Sequence, residues 1–71
     1  MSMSDIVRKI LETLAEAGTP MTSKEIAEKA GLTAKEVGCR IAGLKKRGWI
    51  ESPEKGKYVI TDKGREALKG T

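Results

Sequence analysis

The chain has 71 residues, a single cysteine, no histidine and a net charge of +4. That length allows one domain over 1–71 with a small core; one cysteine excludes an internal disulfide, and the missing histidine excludes a Cys/His zinc site. No apolar run nears the roughly 20 residues of a membrane span, and the N-terminal "MSMSDIVRK" lacks the apolar stretch of a secretory signal, so a soluble, cytoplasmic protein without a membrane partner is expected.

The first predicted element is a helix. Met3, Ile6, Val7, Ile10, Leu11, Leu14 and Ala17 follow i, i+3, i+4, i+7 spacing. Ser4 is placed to cap it, Asp5 suits its first turn, and Gly18 with Pro20 ends it. Its apolar face spans about 140°, wide enough that the outer edge could also meet another chain.

Two further helices open with the same device. In "MTSKEI", Thr22 caps and Glu25 closes a capping box, while Met21 and Ile26 form a hydrophobic staple. In "LTAKEV", Thr33, Glu36, Leu32 and Val37 repeat the arrangement. The spacing predicts helices over about Ser23–Ala30 and Ala34–Arg47. Only Gly31, Leu32 and Thr33 lie between them, and so short a connection forces the steep crossing of a helix-turn-helix.

Next comes a hairpin. Trp49–Ser52 and Lys57–Ile60 are β-prone, and the intervening Pro53–Gly56 is turn chemistry, with Lys55 and Lys57 at the tip. Tyr58 and Ile60 alternate inward, and Trp49 closes the core at the helix–strand junction. Thr61 or Asp62 caps a last short helix, "DKGREALK", expected to bury Ala67 and Leu68.

The segment "SKEIAEKAGLTAKEVGCRIAGLKKRGWIE" resembles the helix-turn-helix core of winged-helix transcription regulators. The matching features are Ile26, Ala27, Ala30, Gly31, Leu32, Val37, Ile41, Leu44 and the "RGWIE" exit. "YVITDKGREAL" is similar to the end of small MarR-type winged-helix domains. The resemblance covers the chain and implies a mainly α (α+β) winged helix-turn-helix fold. Its parts would be a three-helix core, a two- or three-stranded β-wing and a short C-terminal helix. Such domains add a short strand near Pro20–Thr22 that pairs with the wing.

Charge is concentrated on one segment. Residues 32–48 carry Lys35, Arg40, Lys45, Lys46 and Arg47 against Glu36 alone, a net +4, whereas residues 1–31 carry −1 and residues 49–71 carry +1. A focused basic patch suits a polyanionic partner, although a lysine-rich solvated face reads the same way by charge alone. With Val37, Ile41 and Leu44 turned inward, the third helix presents Lys35, Cys39, Ala42 and Lys46 outward. The resemblance implies that this face enters the major groove of double-stranded DNA, with the 53–57 wing on the backbone. The candidate DNA-binding residues are Ser23, Thr33, Lys35, Gly38, Cys39, Arg40, Lys45, Lys46, Arg47, Lys55 and Lys57.

The centre of that face is small: Gly38, Cys39, Ala42 and Gly43 leave no long side chain to pair with base edges. Phosphate contacts would therefore dominate. Winged helices that bind left-handed DNA carry asparagine and tyrosine where this chain has Gly38 and Ala42, so that activity is not expected. Within the fold, Gly38 could instead let the second helix pack closely and Gly43 could clear the wing. The small residues also suit docking to a protein, so a protein-interaction module in a transcription or replication complex is the alternative, and a homodimer is a further possibility. Trp49 and Tyr58 alone make a poor stacking platform for RNA. Cys39 could act as a redox switch or be an inert small side chain. No nucleophile–base pair is recognisable, so neither catalysis nor a cofactor is expected.

Overall fold

A computed structural model describes residues 4–70 of the chain. Its elements run α1 (Asp5–Ala17), β1 (Met21–Thr22), α2 (Ser23–Ala30), α3 (Ala34–Arg47), β2 (Ile50–Glu54), β3 (Lys57–Ile60) and α4 (Asp62–Lys69). Met3, assigned above to the apolar face of the first helix, lies outside the described residues.

The helix starts follow from local side-chain chemistry. Ser4 Oγ accepts the Val7 N–H at 3.3 Å at the head of α1. Both capping boxes form: Thr22 Oγ1 accepts the Glu25 N–H at 3.1 Å and Glu25 Oε1 accepts the Thr22 N–H at 3.0 Å. The Thr33–Glu36 pair repeats these distances at the head of α3. Each box satisfies two backbone donors that a helix start leaves without partners. Gly31, at φ 73°, ends α2 in the left-handed region, where a β-carbon would be strained. Thr33→Ala removes one acceptor from the start of α3 and should cost about 1 kcal/mol; a thermal melt unchanged from wild type would mean that the cap carries no stability.

The core joins three helices and the sheet. Val7, Ile10, Leu11 and Leu14 from α1 meet Ile26 and Ala27 from α2, and Val37, Ile41 and Leu44 from α3. Met21, Ile50 and Ile60 close it from the sheet. Among the described residues no polar or charged side chain is buried, so burial carries no desolvated charge to offset. Leu32, Trp49 and Tyr58 pack half-buried against the same cluster.

The sheet is antiparallel with strand order β1-β3-β2, so the two-residue β1 does pair with the wing, Met21 opposite Tyr58. The hairpin differs from the predicted one. β2 begins at Ile50 and runs on through Pro53 to Glu54, with an irregularity in the register between Glu51 and Glu54. Pro53 has no N–H to donate, which an edge strand tolerates at a bulge. The turn therefore narrows to Lys55 and Gly56, and Gly56 at φ 81° supplies the left-handed residue that it needs.

The C-terminal helix also differs in what it buries. Ala67 and Leu68 are only half-buried, and the buried residue of α4 is Gly64. A β-carbon on Gly64 would collide with the Trp49 carbonyl oxygen and lie 2.7 Å from Ile60 Cγ1. Thr61 makes this approach possible. Its N–H donates to the Trp49 carbonyl at 2.9 Å, its hydroxyl donates to the Gly48 carbonyl, and its oxygen accepts the Gly64 N–H at 3.2 Å. One threonine thus ties the exit of α3 to the start of α4.

Candidate functional site

The third helix turns Val37, Ile41 and Leu44 into the core, which leaves Lys35, Gly38, Cys39, Arg40, Ala42, Gly43, Lys45, Lys46 and Arg47 exposed. The neighbouring elements divide this surface into two edges. On the sheet side, Gly38, Ile41, Ala42 and Lys45 line a cleft of about 430 Å³ together with Ser23, the first residue of α2, and Tyr58 of β3. Three candidate residues, Ser23, Gly38 and Lys45, therefore share one cleft. Tyr58 joins them from a strand position read from sequence only as inward-facing.

On the α1 side, Cys39 and Arg40 line two adjoining clefts. One, of about 220 Å³, is completed by Ile6, Lys35 and Glu36; the other, of about 120 Å³, by Val7, Gly43, Leu44 and Arg47. Arg40 and Arg47 thus belong to a different edge from Ser23 and Lys45. The Arg47 guanidinium stacks over the Trp49 ring at 5.1 Å from its centroid, an interaction that fixes the direction of its charge. Lys46 stands exposed at the crest between the edges.

The glycine expectations within the fold do not hold. Among the described residues a β-carbon on Gly38 or Gly43 would meet nothing within 4 Å, so neither glycine is required by packing against α2 or the wing. Gly43 lies on the α1 side and has no wing to clear. The fold itself gives these two positions no reason to forgo a side chain.

Not every candidate cation is electrostatically open. Lys57 Nζ lies 3.6 Å from Glu54 Oε2 and also sits near the Glu25 carboxylate. Such an exposed pair is weak and can be exchanged for another anion. Lys55 is exposed at the hairpin turn. The oxygen of Thr33 accepts the Glu36 N–H as the α3 cap.

The backbone N–H of Thr22 holds the Glu25 carboxyl below its ordinary pKa; desolvation opposes it, and the Thr22 hydroxyl, Lys57 and Lys29 add to the lowering. The backbone N–H and then the hydroxyl of Thr33 do the same for Glu36, aided by Lys9 and Arg40. A carboxyl whose pKa is depressed on folding adds stability above its unfolded value and loses it as the pH falls through the folded value. Thermal stability should therefore decline as the pH drops below about 4.3, and Glu25→Gln/Glu36→Gln protein should show a shallower decline. An equal acid dependence in the double variant would remove these two groups as its cause.

Among the described residues, no three Cys, Asp or Glu side chains come together as a metal site, and no helix is long and apolar enough to cross a membrane. Comparison with known proteins adds the following. A family model described as winged helix-turn-helix matches residues 2–71. An uncharacterized protein of Methanocaldococcus jannaschii is 36% identical over 61 residues, covering 86% of this chain but 23% of its own length. A protein of Pseudomonas aeruginosa PA01 described as a candidate transcriptional regulator superposes with a TM-score of 0.80 at 17% identity, over 96% of this chain and 51% of its own. The transcriptional repressor CouR, bound to p-coumaroyl-CoA, superposes with a TM-score of 0.79 at 23% identity, over 97% of this chain and 50% of its own. The chain thus spans about half the length of the two solved structures and less than a quarter of the Methanocaldococcus jannaschii protein.

Proposed function

The chain belongs to the winged helix-turn-helix family, and from that premise we propose that it binds double-stranded DNA as a transcriptional regulator. In this reading α3 enters the major groove and the Lys55–Lys57 wing lies along the backbone. The observation that carries it is the +4 excess on residues 32–48, whose five cations are all exposed on α3. The sole acid among them, Glu36, is held by Thr33. Its function is binding, with no catalytic step.

The proposed contacts divide by chemistry. Lys35, Arg40 and Lys46, with Lys55 and Lys57 from the wing, reach phosphates, and Lys45 and Arg47 add positive charge beside them. Ser23 offers a hydroxyl from the start of α2. Gly38, Cys39 and Ala42 offer little to hydrogen-bond with base edges, so the binding is sequence-tolerant. Their small size instead brings the α3 backbone close to the duplex.

Gly38 tests this assignment because its two replacements act in opposite directions. Gly38→Ala should stabilise the fold by about 1 kcal/mol, since alanine is the better helix former and its β-carbon meets nothing. Gly38→Leu should still fold but place bulk in the sheet-side cleft and weaken duplex binding by roughly tenfold, equivalent to about 1.4 kcal/mol. Fluorescence anisotropy with a random-sequence duplex measures the second effect. Wild-type affinity in Gly38→Leu protein would remove this cleft from the interface.

A further inference from the structure

The α1 side of α3 carries a second surface with different chemistry. Its two clefts share Cys39 and Arg40 and so adjoin along the α1–α3 seam, where we treat them as the two halves of a groove. The floor of the larger cleft is almost wholly carbon and sulfur, with Ile6 half-buried and Cys39 exposed. Gly43 leaves the other end open, because among the described residues nothing lies within 4 Å of where its β-carbon would be. The rim is basic: Lys35, Arg40 and Arg47 come from α3, and Lys9 of α1 sits close enough to influence Glu36. Among the described residues Glu36 is the one acid lining either cleft, and one of its oxygens is bound to the Thr33 N–H.

Gly38 and Gly43 are five residues apart, which separates them by about 140° around the helix. Gly38 therefore serves the sheet-side cleft and Gly43 the α1 side. We propose that the α1–α3 groove is a docking site for an acidic, amphipathic helix of a partner protein. Apolar side chains of that helix enter at Ile6, Cys39 and Gly43, and its carboxylates meet Lys9, Lys35, Arg40 and Arg47. From Glu36 to Arg47 the groove runs about 16 Å, the length of three helical turns. Nucleic acid satisfies the rim but has no use for the apolar floor of the larger cleft. A second copy of this chain would set the same basic rim against itself, where like charges repel. Helix-in-groove recognition combines both features, with anchors at i, i+4 and i+7 and charge around them.

The test uses the 71-residue protein, labelled with ¹⁵N, and a synthetic 15-residue probe peptide with leucines at i, i+4, i+7 and i+11 and glutamates at most other positions. The expected result is amide shift changes at Ile6, Cys39, Arg40 and Gly43, with Lys55 and Lys57 unmoved. Gly43→Leu should raise the Kd at least tenfold, and Cys39→Glu, an exposed change that leaves the core intact, should do the same by charge repulsion. A peptide of equal composition with its leucines scrambled should bind at least tenfold more weakly. Shift changes absent from the seam overturn the proposal. Equal binding by the scrambled peptide overturns it too, by reducing the surface to a polyanion site of the kind DNA would use. The assay contains no DNA, so its outcome is independent of the duplex-binding reading.

Discussion

Gly64→Ala should lower the melting temperature by about 8–16 °C, although alanine is intrinsically the better helix former. The added β-carbon would overlap the Trp49 carbonyl oxygen, which already accepts the Thr61 N–H at 2.9 Å and is backbone rather than a side chain that can turn away. It would also press on Ile60 Cγ1 at 2.7 Å. Overpacking of this kind costs on the order of 3 kcal/mol, against about 1 kcal/mol of helix propensity returned. The net loss of about 2 kcal/mol, at 4–8 °C per kcal/mol for a domain of this size, gives the expected shift. The direction separates Gly64 from Gly38, where the same substitution should raise stability. A Gly64→Ala melt at or above that of wild type would mean that α4 can lift from the α3 exit without penalty.

That contrast also shows where sequence reading succeeds and where it stops. Thr22, Glu25, Thr33 and Glu36 announce two helix starts because a capping box is complete within four residues. The apolar spacing of Val37, Ile41 and Leu44 likewise fixes which side of α3 faces inward. Pro53 misleads because proline is turn chemistry by composition, and only the pairing of β2 with β3 reveals it inside an edge strand. Gly64 is invisible from its neighbours in sequence, since what it must avoid is the carbonyl of Trp49 at the exit of α3. Gly38 and Gly43 raise the reverse problem. Their cost to the helix is legible, but the open space around both is a fact of three dimensions. So is the division of the α3 surface into a cleft with Ser23 and Tyr58 and a seam with α1.

The most direct test of DNA recognition through phosphates is the salt dependence of duplex binding. Five cations, Lys35, Arg40 and Lys46 of α3 with Lys55 and Lys57 of the wing, are exposed. Each phosphate neutralised releases counterions and adds about −0.9 to the slope of log affinity against log salt. Full engagement of all five would approach the upper limit. Lys57 is shared with Glu54 at 3.6 Å, so incomplete engagement is expected from the wing. The predicted slope is roughly −3 to −5, a fall of about 10³–10⁵ in affinity over a tenfold rise in salt. Lys46→Ala should weaken binding about equally on unrelated sequences and make the slope shallower by about one, as loss of a phosphate contact does. The decisive measurement is therefore an anisotropy titration of a random-sequence duplex across that salt range. A slope near −4 that drops by about one in Lys46→Ala protein is the result predicted; undetectable binding at low salt, or a slope indifferent to Lys46, would contradict it.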